Sequence, residues 1–442
     1  MIHTPHSLIP LALVLALVAS PALACVGDCD ADGAVTIDEL IVGVNIALGS
    51  SAPAACPGLD RNDDGMVSID ELVSGVGHAA GGCPAGPTAT PTVSPTPLPV
   101  ENRCAVPNGE DVNVDPTQPF CELLSSYRFF VDGAAQVPNA GVLPYDLNSA
   151  LFSDYAGKHR FVWLPPGTSA SYDARHTFAF PVGTVLIKTF AFPRDERDPG
   201  LGERLIETRL LLRTAAGWQA MTYLWDDAQR EARRRAIGQQ VPVSYPTADG
   251  GEFNVVFHVP NTNQCKECHA EHNDVQTPIG PKARHLNKDY DYGDAVENQL
   301  TRWAAVGYLS GAPSPESAPR LPVFDDPESG SVEERARAYL DVNCGHCHNP
   351  TGLARTSGLY LNIEEMEPAR YGVCKPPVAA GQGTGGRKVS ILPGEPDGSI
   401  LVYRMESIAA GVAMPELGRQ SVHAEAVALM HEWILGIEGT CD

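Results

Sequence analysis

The sequence predicts a multidomain α+β protein with a small helical N-terminal module, a β-sandwich-like middle domain and an α-helical C-terminal domain. Three observations carry that expectation. An acidic loop-then-helix pattern occurs twice within residues 25–83. Residues 104–262 are a succession of short aromatic and β-branched runs between Pro and Gly breaks, the pattern of an antiparallel sandwich. From residue 263 the chain turns to amphipathic helices and loops.

A chain of 442 residues, 43% of them hydrophobic, has ample material for several cores. Its formal net charge of −23 excludes a nucleic-acid partner, because phosphate binding depends on clustered Lys and Arg. The first element, "MIHTPHSLIPLALVLALVASPALAC", has a short apolar core and a small-residue cleavage site at Ala22-Leu23-Ala24. The run is too short to cross a bilayer. Residues 1–24 therefore read as a signal peptide, and the mature chain is expected in the periplasm, the extracellular space or the cell surface. Acylation of Cys25 is the alternative fate of that site.

Cysteine parity argues against it. Of twelve cysteines, four lie in two Cys-x-x-Cys-His motifs and eight remain: Cys25, Cys29, Cys56, Cys83, Cys104, Cys121, Cys374 and Cys441. An even number suits disulfides in an oxidising compartment, and acylating Cys25 would orphan one. Cys104 with Cys121, and Cys374 with Cys441, are the expected staples of the two larger parts. The four in the N-terminal module leave three pairings open.

The module holds an internal repeat, "GDCDADGAVTIDELIVGV" and "GLDRNDDGMVSIDELVSGV". Oxygen-bearing side chains recur at loop positions 1, 3, 5, 9 and 12: Asp28, Asp30, Asp32, Thr36 and Glu39, then Asp60, Asn62, Asp64, Ser68 and Glu71. Position 6 is glycine in both copies, which permits the sharp turn around a hard cation. The pattern predicts two calcium sites, each running into an apolar helix. It resembles a dockerin or paired EF-hand module, and that resemblance implies a docking partner. A Pro/Thr-rich linker, residues 84–103, follows and should be extended.

In the middle domain the expected strands are "KHRFVWLP", "HTFAFP", "TVLIKTFAF", "RLIETRLLLR", "WQAMTYLW" and "FNVVFHVP". The charge run "DDAQREARRR" reads as a solvated turn or short helix. Beyond it, "AVENQLTRWAAVGYL" and "SVEERARAYLDV" have helical periodicity, 421–437 makes an amphipathic helix behind a Ser cap, and 372–398 reads as loop.

The chemistry sits in "NQCKECHAEH" and "DVNCGHCHNP". A Cys-x-x-Cys-His run fixes a porphyrin because both thiols add to its vinyl groups while the histidine faces the iron. Zinc would need a further Cys or His pair at finger spacing, and neither motif has one. A redox disulfide would leave the histidine without a purpose. Two covalently attached heme c groups are expected, on Cys265, Cys268 and His269 in a segment spanning 263–330, and on Cys344, Cys347 and His348 in a domain spanning 331–442.

The second domain resembles a small class I cytochrome c, with helices at either end and "GVAMPELGR" between them. That resemblance implies His348 and Met414 as the two axial ligands. No comparable methionine follows the first motif. His285 is the leading candidate for its sixth position, with His272, His258 and an open site as alternatives. Residues 104–442 as a whole resemble a family of exported diheme c-type cytochromes of uncharacterised role, through "GTVLIKTFAFP", "NQCKECH", "IGPKARHLN", "NQLTRW", "LDVNCGHCHNP" and "MPELGR". The resemblance implies electron transfer with a redox partner protein or dehydrogenase, and names no substrate. Two rivals stand beside it: a diheme peroxidase-like enzyme with an open first heme, and a surface binding or docking protein.

Overall fold

The two acidic repeats fold alike because each closes on a capping box. In the computed structural model, which describes residues 25–30, 32–47, 51–61, 67–83, 104, 110–270, 275–378 and 380–441, they lead into helices Ile37–Ala47 (α1) and Ile69–Gly81 (α2). Glu39 accepts from the Thr36 amide and Glu71 from the Ser68 amide, tying each helix start to its own loop. The core beneath is small: Val26, Ile46, Cys56, Leu59 and Val67. Disulfides Cys25–Cys83 and Cys29–Cys56 supplement it and resolve the open pairing. Gly58 is required for packing, because a Cβ there would run into the Asp28 backbone. The signal peptide, the linker up to residue 103, Asn62, Asp64 and His272 lie outside the described residues.

The chain divides into two compact units, Met1–Leu98 and Pro99–Asp442. The second is one unit, so the expected boundaries near 262 and 330 do not separate independent bodies. Its centre is a six-stranded antiparallel meander: Leu143–Tyr145 (β1), Gly157–Trp163 (β2), Val185–Pro193 (β3), Glu203–Thr214 (β4), Gly217–Trp225 (β5) and Ala232–Arg234 (β6). Each strand pairs with its sequence neighbours. One face buries Phe161, Ile187, Leu210 and Tyr223 against Leu124, Tyr127 and Phe129, in the segment stapled by Cys104–Cys121.

The other face is covered in two patches. At one end the hairpin Gln239–Pro246 (β7) and Glu252–Val259 (β8) packs Val243, Tyr245 and Phe257 onto Phe190, Phe192 and Ile206. At the other end Val162 and Leu186 meet Phe178, Leu286, Leu300 and Trp303. The sandwich is therefore partial: a second sheet layer covers only one end.

Three local expectations need correcting. "HTFAFP" is not a strand; it makes isolated bridges to Ser171 and Lys282 while Phe178 and Phe180 turn into the Trp303 cluster. The charge run is not all solvated turn, since Ala232–Arg234 forms the edge strand beside β5. In 295–309 only Gln299–Ala305 is helical, because Asn298 caps the helix by accepting from the Leu300 amide and the residues before it pair as a strand.

The remaining helices are Thr262–His269 (α3), Ala283–Leu286 (α4), Gln299–Ala305 (α5), Val332–Asn343 (α6), Pro368–Tyr371 (α7), Ile400–Glu406 (α8) and Ala424–Leu435 (α9). A capping box of Ser331 and Glu334 starts α6. Its Ala336, Tyr339 and Leu340 share a core with Ala426, Leu429, Met430 and Trp433 of α9. The last helix begins after residue 421 because the Ser421 amide and hydroxyl are both spent on Asp154 Oδ1, at 2.8 and 2.7 Å. Cys374–Cys441 ties the long loop to the chain end.

Candidate cofactor sites

Eight of the twelve cysteines are paired, and the four that remain free are Cys265, Cys268, Cys344 and Cys347. Burial pushes the Cys344 and Cys347 thiols up to about 12 and those of Cys265 and Cys268 upward as well. At neutral pH all four are protonated thiols, unlike the low-pKa thiolates of redox-active pairs.

The second motif is built on the end of α6, where Cys344 caps the helix and the His348 amide donates to the Cys344 carbonyl at 2.8 Å. A Cβ at position 345 would lie 2.7 Å from the Asp341 carbonyl oxygen, so glycine is needed directly after the first cysteine. The His348 Nδ1 faces the Leu359 carbonyl at 3.2 Å. A carbonyl only accepts, so Nδ1 carries the proton and Nε2 keeps its lone pair. Burial lowers the His348 pKa, which holds the ring in its neutral, ligating form.

A cavity of about 400 Å³ opens in front of this histidine, within the roughly 300–1,000 Å³ typical of organic-ligand sites. Leu359, Leu361, Ile400, Leu401 and Met405 make its wall apolar, and Met414 lines it too. The methionine loop is pinned from beneath. Arg419 donates to the carbonyls of Arg404, Ser407, Met414 and Ser421, while Arg404 Nε donates to Val412 O at 2.8 Å. Cys344, Cys347, His348 and Met414 are thus brought together, as a thiol-anchored heme with His/Met ligation requires.

The first motif uses the same device. Asn261 and Gln264 form the capping box of α3, and His269 Nδ1 donates to the Thr277 carbonyl at 2.9 Å while the Thr277 amide returns a bond to His269 O at 2.7 Å. Burial, aided by the Lys188 charge, brings the His269 pKa down to about 3. The cavity here holds about 140 Å³, and Cys265, Cys268, His269, His258 and His346 are among the residues lining it. The donor set fits a covalent heme. That volume is below the roughly 300 Å³ floor of organic-ligand sites, so a tetrapyrrole would also occupy space outside it.

His285 is engaged by a carboxylate. It lines neither cavity, and its Nε2 lies 3.1 Å from Asp341 Oδ2. Both side chains are buried, and Arg284 binds the same carboxylate through Nε and Nη2. The reason is the local fold: Arg284 and His285 sit together on the single turn of α4, and the ion pair takes both. Among the described histidines, His258 and His346 line the first cavity instead. His258 Nε2 is held by Gln264 Oε1 at 3.1 Å, and the buried His346 Nδ1 has no hydrogen-bond partner among the described residues.

The two cavities share walls. Cys268, Asn343, His346, Pro415 and Leu417 line both, and the Cys347 thiol lies 3.6 Å from the Glu267 carbonyl. Sequence reasoning put the motifs in different parts of the chain and missed this contact. It also missed four cations on the sheet, Lys158, Arg160, Lys188 and Arg209, which line the first cavity. Part of the signal was legible: in "TVLIKTFAF" a lysine interrupts an otherwise apolar strand.

In the N-terminal unit, ligand atoms of Asp28, Asp30 and Asp32 lie within 4.8 Å of one another. Gly33 has φ +89°, the turn the pattern requires. Glu39 accepts from the Cys29 and Thr36 amides, and Glu71 from the equivalent Arg61 and Ser68 amides. The bonds made by the glutamate at loop position 12 are thus the same in both copies. The repeat extends to an exposed apolar stripe: Ile37, Ile41 and Val44 on α1 are matched by Ile69, Val73 and Val76 on α2.

No family model matches the chain, and no curated protein or solved structure is detectably similar to it. Among the described residues no helix is long and apolar enough to cross a membrane.

Proposed function

We propose that the chain is an exported diheme c-type cytochrome that transfers electrons, with an N-terminal module that binds calcium and docks. The observation that carries this reading is the pairing of two free Cys-x-x-Cys-His motifs across a shared wall, with Cys347 against the carbonyl of Glu267. A covalently held heme supplies a reversible one-electron couple. The protein does the rest. Leu359 and Thr277 fix the proximal imidazoles by holding Nδ1. Arg419 and Arg404 hold the Met414 loop against the second cavity. Apolar walls exclude water and favour the less charged ferrous state. The common lining of Cys268, His346, Pro415 and Leu417 keeps the two centres adjacent, as fast internal exchange requires.

The duplicated stripe on α1 and α2 supports docking through the module, since apolar side chains at helical spacing stand exposed in both copies. Four disulfides support an oxidising compartment. One observation favours the peroxidase-like reading: with His285 held by Asp341, no sixth ligand is committed to the first site among the described residues.

Electron paramagnetic resonance of the oxidised, heme-loaded protein tests the proposal. Two low-spin species, one altered by Met414→Ala, support an electron carrier. A high-spin species that binds cyanide or peroxide moves the assignment to the enzyme.

A further inference from the structure

Arg160, Lys188 and Arg209 stand directly opposite one another on β2, β3 and β4, so their side chains leave the sheet on one face. Lys158 is one alternate position away, opposite Phe190. Lys158, Lys188 and Arg209 crowd the Phe190 ring at 5.7, 5.0 and 4.3 Å from its centroid. Like charges at opposed positions destabilise a sheet, and burying them adds a desolvation cost.

Among the described residues, acid side chains pair with only two of these four groups. Asp146 pairs with Arg160 at 2.7 Å, and Glu207 holds Arg209 through Oε2 at 2.9 Å. Among the described residues no carboxylate pairs with Lys188, and the Lys158 ammonium donates to the Ala156 carbonyl at 2.8 Å. The Asp154 charge acts on Lys158 without forming an ion pair, and its Oδ1 is taken by the Gln420 and Ser421 amides. The cationic strip lies in the gap between the two apolar patches of this face. It lines the same cavity as Cys265, Cys268 and His269.

We propose that Lys158, Arg160, Lys188 and Arg209 form a receptor for anionic oxygen groups facing the first Cys-x-x-Cys-His motif, filled by the two propionates of the porphyrin held there. The identity of the occupant rests on the heme reading above. Two cations without acid partners match two carboxylates, and the guanidinium of Arg209 adds directional donors. A free oxyanion such as phosphate has the same chemistry, so the test separates the two sources.

Heme-loaded full-length protein and its Lys188→Met, Lys158→Met and Lys188→Arg variants are titrated with reductant at fixed pH, with and without inorganic phosphate, after heme is counted in each. Losing a cation leaves a carboxylate charge that favours the ferric state. The expected result is two hemes per chain throughout, and a lower midpoint potential for one of them in each Met variant. The Met414-dependent heme stays unchanged, Lys188→Arg restores the wild-type value, and phosphate has no effect. A saturable phosphate response in the wild type that Lys188→Met abolishes upholds the receptor and replaces the occupant by a free oxyanion. Unchanged potentials in both Met variants, with no phosphate response, overturn the proposal. A heme count of one, with the first motif empty, overturns the heme reading there. The receptor would then be judged by whether phosphate raises the thermal midpoint of the wild type and not of Lys188→Met.

Discussion

Replacing Asp341 by Asn should unlock the α6 end that carries the second motif. The Asp341 carboxylate accepts from Arg284 Nε at 2.9 Å and Nη2 at 3.2 Å, from His285 Nε2 at 3.1 Å, and from the Ile363 amide at 3.0 Å. Burial pushes its pKa upward, but the His285 hydrogen bond and the Arg284 and Lys282 charges outweigh that and hold it far below the usual range. Asparagine keeps the volume and removes the charge, leaving Glu364, at 3.0 Å from Nη1, as the remaining acid beside Arg284. Breaking one side of a buried pair costs about 3–5 kcal/mol. An unfolding entropy of about 2.1 cal/mol/K per residue over roughly 340 residues is about 0.7 kcal/mol/K, so the Tm should fall by about 4–7 °C. Scanning calorimetry of the heme-loaded protein reads this directly. The double variant Arg284→Met/Asp341→Leu should lose less than the sum of its parts, because it leaves neither member of the buried Arg284–Asp341 pair without the other. An Asn variant melting within about 1 °C of wild type, or strictly additive singles, would refute the reasoning.

Three further outcomes follow from the same geometry. Met414→Ala should leave the heme count unchanged, shift one low-spin signal and lower one midpoint potential, as read by optical redox titration; both potentials unmoved would remove Met414 from the coordination sphere. Calorimetric titration with calcium should find two sites, with Glu39→Gln and Glu71→Gln each losing one, since each removes the carboxylate at loop position 12; unaltered binding in both variants would exclude these loops. His423 stacks on Phe152 with centroids 4.1 Å apart and meets Tyr339 Oη at 3.1 Å, and burial brings its pKa down to about 4. A depressed pKa means the unfolded chain binds the proton first. Stability from this site is complete above the unfolded value of about 6.5 and is lost as pH falls toward the folded one, a change of order 2–3 kcal/mol. His423→Phe should flatten that part of the stability profile in denaturant titrations at pH 7 and 5, and an unchanged slope would count against it.

What was legible in the sequence was local chemistry. The strands "KHRFVW", "TVLIKTFAF" and "WQAMTYLW" follow from their composition and breaks, α6 from the helical periodicity of "SVEERARAYLDV", and the Cys104–Cys121 and Cys374–Cys441 disulfides from parity and position. The same reasoning failed where a distant partner decides. "HTFAFP" has strand propensity, yet Trp303 and its neighbours take both phenylalanines into a core rather than a ladder. His285 has the right residue type near the first motif, but Asp341, beyond it in the sequence, claims it. The cationic strip depends on the register of three strands, which periodicity alone does not supply. The contact of Cys347 with Glu267 likewise joins segments whose proximity no spacing rule gives.

The central claim is that both Cys-x-x-Cys-His motifs carry covalent heme. Protein secreted from a host with a heme-attachment system, denatured and counted by pyridine hemochrome alongside its intact mass, tests it most directly. Two hemes per chain are expected in the wild type, with one retained in Cys265→Ala/Cys268→Ala and one in Cys344→Ala/Cys347→Ala. A wild-type chain whose mass and absorbance show no bound heme, with all four thiols open to alkylation, would contradict it.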